Sequence, residues 1–187
     1  MERLSGTEDR GAIIVVDLVH DFVDGIFKTE RSLEVARNTE KFLEKVSKKL
    51  NVILTRDAHI EDDPEFKIWG PHCIDGTPGA ELYGNLAKFS DRIISKRHYD
   101  AFFDSDLDGY LRARKISRVY ICGISTDICV EHTLCGAFFR GYEVNIISDL
   151  CASLDIRAHE DAVKRMKVLY GARELSYKEL EDIYVEK

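Results

Sequence analysis

Short apolar runs alternate with longer amphipathic segments along most of this chain. Runs that are rich in β-branched residues and too short for a helix are typical of strands buried on both faces of a sheet. We predict six such strands, the last one weak, over residues 12–17, 51–55, 92–95, 118–123, 143–147 and 172–175. Between them, apolar residues recur at helical spacing. This spacing predicts helices over residues 35–50, 107–115, 157–169 and 176–184, and one that ends at Phe139.

Strands that alternate with helices indicate right-handed crossovers between parallel strands. The fold class that follows is α/β, a three-layer, doubly wound, mostly parallel sheet of about six strands with helices on both faces. Ligands bind such sheets beyond the carboxyl ends of the strands. The predicted strand ends supply Asp17, Asp57, Lys96 and the turn over residues 123–129. We therefore expect the functional site at this edge of the sheet.

Length and composition indicate a globular protein with a single domain, which we expect to span residues 1–187. Of the 187 residues, 44% are hydrophobic and 33% are charged, and the formal net charge is −7. A negative surface repels nucleic acid and anionic lipid. The first ten residues lack the apolar core of a secretion signal, and no apolar run approaches the roughly 20 residues of a membrane span. We expect a soluble, cytoplasmic protein that binds neither nucleic acid nor membrane.

The cysteine count is odd, which argues against a framework of disulfides and for reduced thiols. The five cysteines are Cys73, Cys122, Cys129, Cys135 and Cys151. A free cysteine usually behaves as a small buried hydrophobic residue, and this interpretation suits Cys122, which lies inside a predicted strand. Cys129 has a different setting, because it follows a strand and a tight turn.

The turn after the fourth predicted strand places Cys129 at the start of a helix. Gly123 permits an unusual backbone conformation, and Thr126 or Asp127 can cap the helix that follows. Helix dipole and free N–H groups in a first turn favour a thiolate. A carboxylate from Asp17 and an ammonium from Lys96, both at strand ends, complete the parts of an activated nucleophile. Core packing of the cysteine and a structural salt bridge between the two charged residues remain the alternatives.

The second predicted strand leads into a long irregular loop over residues 57–79 that carries candidate metal ligands. Asp57 and His59 are two residues apart, so an extended chain places both side chains on one side. With His72 they would form a set of two imidazoles and one carboxylate, which suits zinc, iron or manganese. Two surface histidines in an acidic loop are the alternative.

Taken together, these residues resemble the isochorismatase-like cysteine hydrolases, and among them most closely the nicotinamidases. The resemblance runs from residue 12 to about residue 171 and includes strand ends and loops in the same order. Its segments are residues 14–17 with Asp21 and Phe22, 57–59, 69–82, Lys96 with 99–102, and 123–130 with His132 and Thr133. The family has a Rossmann-like fold, which agrees with the alternation of strands and helices.

The resemblance assigns roles to particular residues. It implies a catalytic triad of Asp17, Lys96 and Cys129, and an oxyanion hole formed by the backbone N–H groups of Ser125 and Cys129. It implies a cis peptide between Ile124 and Ser125 and a divalent metal, most often zinc, on Asp57, His59 and His72. Phe22 and Trp69 match the aromatic residues that sandwich a pyridine ring in nicotinamidases. Members of the family often form homo-oligomers.

The function that the resemblance implies is hydrolysis of a small carboxamide, with nicotinamide converted to nicotinate and ammonia in NAD salvage. An amidase for N-carbamoylsarcosine or a ureido compound is the alternative within the family, and a non-catalytic binding protein on the same fold is a remoter one. Three positions depart from the usual family pattern, namely Val19, Gly70 and Ser125. They leave the triad and the metal ligands intact and bear on the choice of substrate.

Overall fold

A computed structural model describes residues 10–185. The ends of the expected domain, including the first nine residues on which the absence of a secretion signal was judged, lie outside this range. Six parallel strands form one sheet in the order β3-β2-β1-β4-β5-β6. The strands are β1 (Gly11–Val16), β2 (Asn51–Asp57), β3 (Arg92–Lys96), β4 (Arg118–Ile124), β5 (Glu143–Ala152) and β6 (Arg173–Leu175). All six predicted strands are therefore present.

The middle of the sheet is buried on both faces, as the continuous apolar runs indicate. All six residues of β1 are buried, and Ile14 pairs with Ile53 of β2 on one side and with Ile121 of β4 on the other. A strand with helices on both faces needs apolar side chains at every position. The prediction of a doubly wound sheet is confirmed.

Seven α-helices connect and cover the strands within the described part of the chain. They are α1 (His20–Val23), α2 (Glu30–Val46), α3 (Phe66–Trp69), α4 (Leu107–Ala113), α5 (Glu131–Phe139), α6 (Ile156–Tyr170) and α7 (Tyr177–Tyr184). Helix α2 packs on β5 and α7, whereas α5 and α6 pack on each other and on β5. Together the helices and the sheet form three layers. None of the described helices has the length and apolarity that a membrane crossing requires.

Two elements extend beyond their predicted limits. Helix α2 begins five residues early because Thr29 and Ser32 form a reciprocal capping box, which satisfies the free N–H groups of its first turn. Strand β5 continues to Ala152 because its second half still pairs with β4, with Cys151 opposite Gly123. The loop over residues 57–79, predicted to be irregular, contains α3 and a 3₁₀ turn, Pro78–Ala80.

The order of the strands places the ends of β1 and β4 side by side. The chain leaves β1 toward β2 and leaves β4 toward β5, so this is the point where a crevice opens in a doubly wound sheet. Gly123 lies here with φ at +122°, and a Cβ on it would stand 2.0 Å from the carbonyl oxygen of Val16. Only glycine permits this close approach. It brings the turn after β4 against Asp17, which follows β1.

Candidate active site

A buried lysine joins two carboxylates at the carboxyl ends of three neighbouring strands. Lys96 Nζ, at the end of β3, lies 2.6 Å from Asp17 Oδ2 and 3.1 Å from Asp57 Oδ1. All three residues are at most 3% exposed. Charges buried this deeply require partners, and here one ammonium faces two carboxylates. The structure therefore brings together two of the three residues of the expected triad, next to one of the expected metal ligands.

Thr55 of β2 holds the Asp17 carboxylate in place. Thr55 Oγ1 donates a hydrogen bond of 2.6 Å to Asp17 Oδ1 and accepts one of 3.1 Å from the Asp17 backbone N–H. The backbone of Asp17 has φ at +52°, the left-handed region. The other oxygen, Oδ2, contacts the Lys96 ammonium at 2.6 Å. The Asp17 side chain is also a hydrogen-bond partner of the Cys129 thiol, so it is placed to take the thiol proton.

Cys129 completes this group from the turn after β4. Its Sγ lies 3.6 Å from Lys96 Nζ, and the residue is 4% exposed. It belongs to a π-helical turn, Thr126–Val130, which leads into α5. The cis peptide that the resemblance implies between Ile124 and Ser125 is present.

The expected capping of this turn is wrong. Neither Thr126 nor Asp127 caps the helix: the turn begins at Ser125 without a side-chain cap. Thr126 Oγ1 instead lies 2.8 Å from His159 Nδ1. Asp127 accepts hydrogen bonds from two serines, because its side chain points back toward the end of β5.

Burial and neighbouring charges shift the pKa values of Cys129, Asp17 and Lys96. Burial raises the pKa of the Cys129 thiol well above its usual value, against the influence of the Lys96 ammonium. This direction is opposite to the one expected from the helix start alone, which favours a thiolate. Burial also raises the pKa of Asp17, although Lys96 opposes the shift. Burial lowers the pKa of Lys96, but Asp17, Cys129 and Asp57 outweigh it and keep the ammonium charged.

The candidate metal ligands converge beside the buried lysine. Ligand atoms of Asp57, His59 and His72 all lie within 4.8 Å of one another, and all three residues are buried. His59 Nε2 is 3.0 Å from Asp57 Oδ2, and His72 Nε2 is 3.9 Å from the same oxygen. The structure thus brings together the three ligands that the sequence predicts.

The surroundings of the two imidazoles fit a divalent metal. His72 Nδ1 lies 2.8 Å from the carbonyl oxygen of Gly70, so it donates there and leaves Nε2 with a lone pair. His59 Nδ1 lies 3.1 Å from Asp63 Oδ2, again leaving Nε2 toward Asp57. Metal-binding histidines are typically oriented by such outer partners. Burial lowers the pKa of His59, but the carboxylates of Asp57 and Asp63 outweigh it and raise this pKa to about 9.

A pocket opens above these groups and encloses about 560 Å³, counting the part that is open to solvent. Cys129, Asp57 and His72 all line it. Phe22 and Trp69, the predicted aromatic residues, both line it. Ser125, predicted to contribute a backbone N–H, also lines it. Every predicted site residue therefore lies in the pocket or directly beneath it.

Several pocket residues are not among the predicted site residues, and three of them contact predicted ones. Phe27 lines the pocket with its ring centroid 5.8 Å from that of Phe22 and 6.3 Å from that of Trp69. Tyr99 accepts a hydrogen bond of 3.0 Å from Trp69 Nε1. Glu65 Oε1 lies 3.9 Å from His72 Nε2, and burial raises the pKa of its carboxyl. The one sequence signal for Glu65 is its place in the acidic stretch of the metal loop.

Comparison with known proteins agrees with this geometry. The family model described as the isochorismatase domain matches residues 11–177. A nicotinamidase of Schizosaccharomyces pombe is 29% identical over 195 residues, an alignment that covers 82% of this chain and 87% of the relative.

Two solved structures share the fold. A pyrazinamidase of Pyrococcus horikoshii in complex with zinc superposes with a TM-score of 0.82 at 31% identity, covering 89% of this chain and 99% of the other. An N-carbamoylsarcosine amidase of Thermoplasma acidophilum superposes with a TM-score of 0.80 at 29% identity, covering 90% and 96%. The solved structures similar to this chain therefore include a pyrazinamidase and an N-carbamoylsarcosine amidase.

Proposed function

This chain belongs to the isochorismatase family and is a hydrolase of amide bonds, and we propose that it hydrolyses nicotinamide to nicotinate and ammonia. The observation that carries the proposal is the shared pocket of a buried cysteine, a cluster of metal ligands and aromatic rings. A flat pyridine ring fits between aromatic side chains, and its nitrogen would face the metal ligands while its carboxamide faces Cys129. The relatives named nicotinamidase support this choice.

In the proposed mechanism, Asp17 is the general base and Cys129 the nucleophile. The thiol proton passes to the carboxylate of Asp17, its hydrogen-bond partner, as the sulfur attacks the amide carbon. The pair of electrons of the C=O double bond moves to the oxygen, which becomes an oxyanion. Lys96, 3.6 Å from the sulfur, stabilises the negative charge that develops during the transfer.

The oxyanion is stabilised by the backbone N–H groups of Ser125 and Cys129. One such donor lowers the barrier by about 3 kcal/mol in comparable sites. When the intermediate collapses, the C–N bond breaks and Asp17 returns its proton to the nitrogen, which leaves as ammonia. Water then adds to the thioester with Asp17 again as base, the C–S bond breaks, and Cys129 recovers its proton.

The metal proposed for Asp57, His59 and His72 is zinc, and Glu65 is placed to supply a fourth ligand. A bound zinc ion would supply an electron acceptor for the ring nitrogen and so orient the substrate. Asp57 would serve both the ion and Lys96, since Lys96 contacts Oδ1 and both histidines face Oδ2. One carboxylate therefore joins the metal site to Lys96, which in turn contacts the Cys129 sulfur.

An ammonia-release assay tests the substrate. We expect nicotinamide to be hydrolysed with a kcat/KM at least about 100-fold above that for N-carbamoylsarcosine, a ratio within the range that a few polar contacts provide. The competing amidase is a second candidate because of the similar structure from Thermoplasma acidophilum. Faster release of ammonia from N-carbamoylsarcosine would identify that activity and exclude the nicotinamidase proposal.

Removal of the metal is expected to abolish hydrolysis of nicotinamide. Dialysis against a chelator should remove about one ion per chain, and added zinc should restore activity. His72→Ala should retain much less zinc by elemental analysis, because one of three protein ligands is lost. His98→Ala is the matched control, since its ring packs against Phe103 and does not line the pocket. Equal zinc content in the two variants would contradict the assignment.

We further propose that residues 1–187 form a single domain that assembles as a homo-oligomer in the cytoplasm and serves NAD salvage. The family match over residues 11–177 and the single sheet support one domain. Size-exclusion chromatography with light scattering tests the assembly, and a mass equal to one chain would contradict it.

A further inference from the structure

Two serine hydroxyls line the pocket where β4 and β5 end, and both bond to one carboxylate behind them. Ser125 Oγ donates to Asp127 Oδ1 at 2.8 Å, and Ser153 Oγ donates to the same oxygen at 2.6 Å. Both serines line the pocket, whereas Asp127 does not. The mechanism proposed above uses none of these three side chains.

The hydrogen bonds determine what the serines can offer to a substrate. A hydroxyl group has one proton to donate, and a carboxylate oxygen can only accept. Because Ser125 and Ser153 each give their proton to Asp127, their oxygens present only lone pairs toward the pocket. The two serine side chains can therefore accept hydrogen bonds from a substrate but cannot donate any.

The charges of the residues around the pocket also disfavour a substrate group that is negatively charged. Among the described residues that line it there is no lysine or arginine, and its acidic members are Asp57 and Glu65. A carboxylate substituent placed against the serines would face lone pairs, and no lysine or arginine among the described lining residues would compensate there for its lost hydration. An apolar group, or one with an N–H or O–H donor, meets no such cost.

We propose that Ser125 and Ser153, with their protons held by Asp127, make the pocket selective for neutral amides and exclude amides that carry a carboxylate on this side. The proposal rests on the proposed amidase site and adds the class of its substrates. The two serines are specificity-determining residues, and Asp127 is a positioning residue that acts through them.

Asp127→Asn tests the proposal because it keeps the shape of the side chain and reverses part of its hydrogen bonding. The new amide N–H can donate to a serine oxygen, which frees the hydroxyl proton to turn toward the pocket. We expect the preference for neutral over carboxylate-bearing substrates to fall about tenfold, as one hydrogen bond to a charged group would produce. Asp108→Asn is the matched control, since Asp108 also accepts a hydroxyl, that of Tyr142 at 2.7 Å, outside the pocket.

The preference is measured as a ratio of kcat/KM within pairs that differ only in a carboxylate or a hydroxymethyl group. One pair is 5-carboxynicotinamide and 5-hydroxymethylnicotinamide, and the other is N-carbamoylsarcosine and 1-(2-hydroxyethyl)-1-methylurea. The wild-type protein should prefer the hydroxymethyl member of whichever pair it hydrolyses. If only the urea pair reacts, the nicotinamidase proposal fails and the ratio within that pair still decides the present one.

Two results would overturn the selectivity. One is a wild-type preference for the carboxylate member, and the other is a ratio that Asp127→Asn leaves unchanged while both rates fall together, which is what a purely structural role predicts. Ser153→Ala keeps the test available if Asp127→Asn does not fold. It removes one acceptor and should reduce kcat/KM for the hydroxymethyl member alone, about tenfold. Hydrolysis of neither pair would reject both proposals.

Discussion

Cys129→Ala is expected to lower kcat for amide hydrolysis by about 10⁴-fold or more while the protein remains folded. Alanine has no electron pair to attack the amide carbon, and the remaining oxyanion donors act only on whatever attack water achieves. Ammonia release at saturating substrate measures the loss, and circular dichroism on heating checks the fold. The sulfur contacts the Lys96 ammonium at 3.6 Å, so its removal changes packing by a single atom.

Cys135→Ala is the matched control for this loss. Cys135 is a free, half-buried thiol in α5 that does not line the pocket. It should retain the activity of the wild type, which would show that a missing thiol alone does not impair the enzyme. Activity of Cys129→Ala within tenfold of the wild type would exclude Cys129 as the nucleophile and, with it, the mechanism that depends on Asp17 as its base.

The positions of the charged strand ends could be predicted from sequence because parallel strands bring their carboxyl ends to one edge. The runs that end before Asp17 and at Asp57 are mostly buried and apolar, whereas β3, which ends at Lys96, is an edge strand that is largely exposed. The predicted limits of all three strands nevertheless lie within two residues of the observed ones. Once the strand order is β3-β2-β1-β4, adjacency of these three side chains follows from the 4.8 Å spacing of strands. The pattern of apolar runs therefore predicts correctly that these three residues lie together.

The partners that orient these side chains could not be predicted in the same way. Thr55 lies within an apolar strand, where a threonine is compatible with simple packing, and its bond to Asp17 depends on the register of β1 and β2. Phe27 and Tyr99 enter the pocket through loops whose paths have no period in the sequence. Loop conformation depends on contacts between residues that are distant in sequence. Functional residues in loops therefore cannot be identified from hydrophobic periodicity.

The pKa of Cys129 is a second property that could not be predicted from the sequence alone. The sequence places Cys129 at a helix start. A helix terminus can stabilise a charge by up to about 2 kcal/mol, which here favours a thiolate. Complete burial acts in the opposite direction and dominates the shift. Burial of one side chain depends on the whole fold, so the sign of the net effect needed the structure. A raised thiol pKa requires a base that takes the proton during the reaction, which is the role proposed for Asp17.

Lys96→Met is expected to reduce the free energy of unfolding by about 3–5 kcal/mol at pH 7, in addition to abolishing activity. The methionine has a similar volume, so the loss arises from charge. Without the ammonium, the buried carboxylate of Asp17 would lose its cationic partner and face that of Asp57, which would retain His59. Urea denaturation of the two proteins measures the difference. Lys45→Met is the matched control, because Lys45 pairs with Glu181 at the surface and its loss should leave stability almost unchanged.

The dependence of this deficit on pH distinguishes lost charge pairing from lost packing. Burial already raises the pKa of Asp17 in the presence of Lys96, and removal of the ammonium, which opposes that shift, raises it further. A carboxyl whose pKa is higher in the folded than in the unfolded protein stabilises the fold at low pH and loses that contribution as the pH rises through the folded value. The deficit of Lys96→Met should therefore shrink as the pH is lowered from 7, because Asp17 takes up a proton. A deficit that stays constant over the acid range in which both proteins remain folded would show that Lys96 contributes through packing, and would remove the argument that its ammonium balances the two carboxylates.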